Sequence, residues 1–374
     1  MGPVVAVVGG GQLARMMAAP AEALQIRLRA LVEAADGAAA QVIPDSPVGS
    51  PQDLATLQQL VAGADALTFE HEHVPEGLLR ELVSAGVNVQ PGPEALRYAQ
   101  DKLAMRAKLT ELGVPVPPWA QINTAADLDR FATQVGYPVV VKVPVGGYDG
   151  KGVRVVHRPG EVSDWLTNGP LLAEALVPFE RELAVLIARN RSGQIQAWPT
   201  VQTIQQDGVC AEVISPAPDL DEGLAQSAQQ IATTIAEGLE VTGVLAVEMF
   251  ATADGVWVNE LAMRPHNSGH FSIEGSRTSQ FEQHLRAVLD LPLGDTDATA
   301  PWAVMVNLLG SQREDPTTGY RQLLEQFPQA KVHLYGKSVR PGRKLGHVTV
   351  IGEDLQRCRA QAQAAVTILR TVDT

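Results

Sequence analysis

Residues 139–156 read VVVKVPVGGYDGKGVRVV: two β-branched runs separated by Gly146, Gly147, Gly150 and Gly152, with Tyr148, Asp149 and Lys151 among them. An ordinary hairpin turns on about two to five residues, and this ribbon is longer. Few side chains let backbone N–H groups close on an anion, as phosphate-binding loops do, and Lys142 and Arg154 flank the ribbon. A plain surface hairpin is the other reading of the same glycines, because a glycine-rich match alone is weak.

A second cluster lies at VLAVEMFATADGVWVNELAMRPHNSGH, residues 244–270. The apolar alternation predicts two strands joined by a three-residue loop, Ala253-Asp254-Gly255, with Thr252 facing Val256. That register sets Glu248 opposite Glu260. Paired carboxylates repel, so either both point into water or a divalent cation sits between them, and Mg²⁺ favours such oxygens. The following RPHNSGH segment holds Arg264, His266, Asn267 and His270. Pro265 and Gly269 argue against a helical metal pair of histidines, and no third zinc ligand is evident. The segment reads as a substrate-positioning loop or as a hydrogen-bonded connection. Near the end, Lys337, Arg340, Arg343 and Lys344 fall within eight residues of a chain whose net charge is −13. Such a cluster is a solvated face or a seat for a phosphate.

The elements that must position these residues alternate. PVVAVVGG, GQLARMMAAPAEAL and IRLRALVE read strand, helix, strand, and the βα pattern continues to VNVQPGP, which predicts a parallel sheet. Gly9, Gly11 and Ala14, with Glu33 ending the second strand, match a dinucleotide-binding fingerprint. A nicotinamide-dependent oxidoreductase is therefore a rival reading. Asp101 caps a helix stopped by Gly113 and Pro115, and Thr124 caps another reaching Val135.

Composition narrows the classes. Hydrophobic residues make up 45% and charged ones 19%, a soluble globular balance. No apolar run approaches the roughly eighteen residues of a membrane span, no secretory signal opens the chain, and the acidic charge argues against nucleic-acid binding. Cys210 and Cys358 lack metal-type spacing, so a cytoplasmic location is expected.

Taken as a set, GGGQLARM, FEHEHVP, QDKLAMRAKL, GGYDGKGV, NELAMRPHNSGH, TSQFEQHLRA and RPGRKLGH resemble the ATP-grasp superfamily. Within it they are similar to the N5-carboxyaminoimidazole ribonucleotide synthetase family of purine biosynthesis. Departures are few: Ala14 replaces a commoner glycine, Met263 stands where proline is usual, and Gln202 occupies a position held by histidine in some relatives, so it is given no role.

The resemblance implies a mixed α/β and α+β ATP-grasp fold. It would comprise a Rossmann-like domain over 1–97, an ATP-grasp domain over 98–295 with a mobile lid near 120–174, and a small β-rich domain over 296–374. It implies ATP-driven carboxylation of 5-aminoimidazole ribonucleotide by bicarbonate through carboxyphosphate, in a homodimer. Glu248 and Glu260 would hold Mg²⁺ beside Asn259, and Lys102 and Lys142 would lie along the ATP phosphates. The loop carrying Gly147, Tyr148, Asp149, Gly150, Lys151, Gly152 and Val153 would close over them. Glu174, Ala175, Leu176 and Val177 match the adenine hinge, and Glu182 the acid on the ribose. Tyr148, Asp149, His266 and Asn267 would receive the imidazole, Lys337 and Arg343 its phosphate, and Glu72 would contribute from the first domain. A formate-dependent ribonucleotide transformylase is the nearest alternative, and a nucleotide-binding sensor without catalysis a further one.

Overall fold

The computed structural model describes residues 2–147 and 151–372; Tyr148, Asp149 and Gly150 lie outside that range. The first βαβ unit forms as its pattern predicts. Val4–Val8 is buried along its whole length because it runs parallel between Arg27–Leu31 and Ala66–Phe69, and an inner parallel strand has both faces covered. The expected last strand at 87–93 is reduced to a single bridge between Leu67 and Val89.

The glycine turn ahead of helix Gln12–Ala23 is shaped by a carboxylate of the same chain. Glu70 accepts the Gly11 N–H, and a Cβ on Gly11 would stand 2.0 Å from Glu70 Oε1. A dinucleotide fingerprint uses this helix N-terminus to seat a pyrophosphate. Here Glu70 fills the seat, which removes the main support for the oxidoreductase reading.

A four-stranded antiparallel sheet follows, ordered Trp119–Ile122, Leu171–Ala175, Val139–Lys142, Val153–Val156. Helix Ala125–Val135, begun by a reciprocal Thr124–Asp127 capping box, covers it over Ile122, Leu128, Phe131, Val139 and Val141. The glycine ribbon is the hairpin connection at the edge of this sheet.

The third layer is a nine-stranded antiparallel sheet. Its path runs Gly255–Ala262, Gly243–Thr252, Arg181–Arg189, Val201–Gln206, Val209–Ser215, Trp302–Leu309, Lys344–Gly352, Lys331–Leu334, with Ile195–Ala197 paired to Arg181–Arg189. The pairing of Val209–Ser215 with Trp302–Leu309 carries the sheet without a break from the glutamate hairpin to the strands that hold the basic loop. Among the described residues no helix is long and apolar enough to cross a membrane.

Candidate active site

A cavity of about 1760 Å³ opens between the four-stranded sheet, the glutamate hairpin, the RPHNSGH segment, the basic loop and the first domain. Gly147, Lys151 and Val153 of the ribbon line it, as do Lys102, Lys142, Glu174, Ala175, Leu176, Val177, Glu182, Glu248, Asn259 and Glu260. Glu72, His266, Asn267, Lys337 and Arg343 complete the wall. Gly152 stands behind it at φ +76°, its carbonyl accepting the Val143 N–H at 2.9 Å.

Glu248 and Glu260 are opposite each other, but not by the expected register. Thr252 pairs with Gly255, not Val256, leaving a two-residue loop of Ala253 and Asp254. Every pair down to Met249–Val258 is shifted accordingly, and a bulge then adds Asn259 and realigns Glu248 with Glu260. Bulges often re-aim side chains beside active sites. Glu248 opens to the cavity on one side and is enclosed on the others. Burial, then Glu260 and Glu182, push its carboxyl up to about 7 against the pull of Lys344 and Arg264. Lys102 Nζ lies 2.9 Å from Glu260 Oε1. Among the described residues no three acidic, imidazole or thiol groups converge as an all-protein metal site. Two facing carboxylates, one with an oxygen on Lys102 and the other pushed toward its neutral form, fit Mg²⁺, which completes its shell with water and phosphate oxygens.

Glu174 does more than the hinge reading assigned to it. Its side chain is buried, pairing with Lys142 Nζ at 2.7 Å through Oε2 and with Arg106 Nε through Oε1. Lys142 also donates to Asn259 Oδ1 at 3.0 Å, and Arg106 Nη2 donates to the Asn259 carbonyl at 2.6 Å. Burial raises the Glu174 pKa, but Arg106 and Lys142 outweigh it, and the net direction is down. Arg106 was not singled out from sequence. Its signal was its place one helical turn after Lys102, on the same face.

At the opposite end, Glu72 accepts the Met263 N–H at 3.2 Å and Arg264 Nε at 2.8 Å, so the first domain fixes the start of the RPHNSGH segment. Gln280 clamps His266 by accepting its N–H and donating to its carbonyl, both at 2.8 Å. His266 Nδ1 accepts from Ser268 N–H at 3.3 Å, which leaves Nε2–H facing Glu248 Oε1 at 3.5 Å. Burial, then Arg264 and Lys344, hold this imidazole neutral. Asn267 Nδ2 is buried against the Cys210 thiol with no oxygen or nitrogen acceptor among the described residues, a donor suited to a substrate atom. His270 turns away from His266, bonding Gln280 and stacking on His347 at 5.0 Å, so the two histidines form no metal pair.

Lys337 reaches Gln12 at the start of the first helix, and Gln41 donates to the Gly336 carbonyl at 2.8 Å, docking the basic loop on the first domain. Arg343 is braced by Ser338, donating to its Oγ at 2.6 Å. Lys344, counted in the basic cluster but given no task, directs its charge at Glu248 and His266.

Two groups of cationic side chains, Lys102 with Lys142 and Lys337 with Arg343, therefore line one cavity. Residues 3–100 match the ribonucleotide synthetase preATP-grasp domain, 107–281 the ATP-grasp domain, and 303–361 the phosphoribosylaminoimidazole carboxylase C-terminal domain. The N5-carboxyaminoimidazole ribonucleotide synthase of Mycobacterium tuberculosis is 52% identical over 372 residues, covering 97% of this chain and 87% of that one. The chain belongs to the N5-carboxyaminoimidazole ribonucleotide synthase family. An ADP complex of a family member superposes with a TM-score of 0.90 at 33% identity, covering 98% of this chain and 97% of the other. The family's enzyme from Aspergillus clavatus, in complex with ADP and 5-aminoimidazole ribonucleotide, gives 0.89 at 32% identity and covers 98% of each chain. The ATP-grasp fold expected from sequence is the fold observed.

Proposed function

We propose that this chain carboxylates 5-aminoimidazole ribonucleotide at the expense of ATP, with bicarbonate as the carbon source and Mg²⁺ as the metal. The observation that carries the reading is the pair of cationic groups lining one cavity. Facing carboxylates with Lys102 and Lys142 suit a triphosphate, and Lys337 with Arg343 suits a phosphomonoester. The family relationship narrows the choice among ligases that share this arrangement.

A bicarbonate oxygen attacks the γ-phosphorus and ADP leaves. The resulting carboxyphosphate passes its carboxyl carbon to the exocyclic amine, phosphate departs with the C–O electron pair, and the amine loses a proton. Phosphoryl transfer asks mainly for positioning and charge stabilisation. Glu248 and Glu260 would hold Mg²⁺, which supplies charge neutralisation to the phosphates. Lys102 and Lys142, both on the cavity wall, would take the phosphate oxygens. The ribbon, with Gly147, Lys151, Gly152 and Val153 beside Gly150, excludes water from a labile acyl phosphate.

Ala175, Leu176 and Val177 take adenine and Glu182 its ribose. Tyr148 and Asp149 are assigned to the imidazole by family resemblance, together with His266 and Asn267. Glu72 acts by holding Arg264. The free thiols of Cys210 and Cys358 suit a reducing, cytoplasmic setting, and the family resemblance supports a homodimer.

The test is phosphate release with ATP, Mg²⁺, aminoimidazole ribonucleotide and bicarbonate. Release that requires both the ribonucleotide and bicarbonate is the expected result. Release with formate in place of bicarbonate, and with nothing else, would move the chain to the transformylases.

A further inference from the structure

We propose that Arg106 is a positioning residue for ATP: it acts through Glu174, Lys142 and Asn259, and it ties the four-stranded sheet to the body at the phosphate end of the cavity. The proposal rests on the assignment of Lys142 to the ATP phosphates made above. Arg106 is fully buried, 0% exposed, on helix Lys102–Glu111. Its guanidinium spans two bodies, with Nε on Glu174 of the lid strand Leu171–Ala175 and Nη2 on the Asn259 carbonyl of the hairpin strand Gly255–Ala262. Lys142 closes the ring by bonding the second Glu174 oxygen and the Asn259 side chain.

Three consequences follow from that ring. Glu174 alone would neutralise Lys142; with Arg106 the ring carries one net positive charge, which remains for a phosphate. The carbonyl held by Arg106 belongs to the extra residue of the bulge, where the ladder is locally broken. Holding it fixes the offset that puts Glu260 opposite Glu248. Glu174 and Lys142 both belong to the lid sheet, while Asn259 and Arg106 belong to the body, so the orientation of that sheet and the direction of the Lys142 ammonium are set together. Burial opposes ionisation of Glu174, yet the two cations keep it charged, as the ring requires.

A lysine cannot replace this arginine. A single ammonium lacks the planar fork that reaches a carboxylate and a carbonyl in two fixed directions. For Arg106→Lys the expected result is a rise of about tenfold in KM for ATP and in Kd for ADP, equal to about 1.4 kcal/mol. KM for the ribonucleotide should stay within about twofold, since Lys337 and Arg343 lie across the cavity. Glu174→Gln should show the same split, and the double variant should be no worse than the poorer single one. Kd is read by calorimetry with ADP and Mg²⁺ alone, so it remains interpretable if carboxylation itself is misassigned; that failure would appear as wild-type phosphate release independent of the ribonucleotide. A folded Arg106→Lys protein with wild-type ADP affinity overturns the proposal, and so does a parallel rise in both KM values. Loss of folding in both single variants also overturns it, because the ring would then be structural only.

Discussion

Glu260 gives its Oε1 to Lys102 Nζ at 2.9 Å, and its neighbour Glu248 is held toward its neutral form by burial and by Glu260 itself. Replacing it with glutamine keeps the volume and removes the charge that a metal would need. Glu260→Gln should lower kcat by at least about a hundredfold at any Mg²⁺ concentration, the scale of losing a charge-stabilising group in a phosphoryl transfer; steady-state phosphate release measures it, and recovery at high Mg²⁺ would remove Glu260 from the metal site. Lys337→Met should instead raise KM for the ribonucleotide by about ten- to a hundredfold, as loss of a charge-assisted phosphate contact does, with KM for ATP unchanged. A loss confined to ATP would relocate the basic loop. Much of this was legible residue by residue. A lysine inside an apolar strand and acids at matched hairpin positions need an explanation wherever they fold. Glu70 gave no such signal and Arg106 only its place one turn after Lys102, because their partners Gly11 and Glu174 are 59 and 68 residues distant and neither pairing is marked locally.

The glycine ribbon and the glutamate hairpin show how far a pattern reaches at the scale of elements. Alternation of apolar residues gave both hairpins, yet the glutamate hairpin has a shorter loop and a bulge that cancels the resulting slip. Hydrophobic periodicity does not encode a bulge, since an extra polar residue such as Asn259 can be absorbed without moving the flanking apolar set. In the ribbon, the backbone explains individual glycines. Gly152 has φ +76°, and a Cβ there would meet Val143 Cγ2 at 2.4 Å; Gly146 has φ +86° with nothing within 4 Å. Both substitutions to alanine carry the strain of a left-handed residue, of order 1 kcal/mol, but only Gly152→Ala adds a clash. Gly152→Ala should therefore reduce kcat more than Gly146→Ala and release more than one phosphate per carboxylated product, because a displaced cover admits water. The ratio of phosphate to product, assayed side by side, decides it; equal ratios in the two variants would mean that Gly152 does not shape the closed loop.

At the scale of the whole molecule, the pairing of Val209–Ser215 with Trp302–Leu309 puts the glutamates and the basic loop on one continuous sheet. Sequence could not supply this join, since strands about ninety residues apart in the chain meet only through tertiary packing. The same packing buries His284, which no motif marked in sequence, and His270 of the RPHNSGH segment. His284 links three elements: its Nδ1 accepts the Val244 N–H at 3.0 Å, and its Nε2 meets the Thr68 hydroxyl at 2.7 Å. Burial lowers its pKa to about 3, and burial, then Lys344 and His333, lower that of His270 to about 3. The unfolded chain protonates these imidazoles near 6.5, whereas the folded chain does not. The stability they contribute is complete above about pH 7 and is lost as pH falls toward 3, at about 1.4 kcal/mol per pH unit for each histidine. Glu248 works in the opposite sense, because its raised pKa lets the folded protein bind a proton that the unfolded chain releases above its ordinary value of 4.5. The wild-type slope between pH 6.5 and 5 is thus a difference of terms, and a variant isolates one of them. His284→Gln retains a donor and an acceptor while removing the titration. Its urea-unfolding free energy should fall less steeply than wild type across that window, by about 1 kcal/mol per pH unit on average. Parallel slopes for the two proteins would mean that His284 is already protonated in the folded state, which the hydrogen bond from Val244 to its Nδ1 forbids.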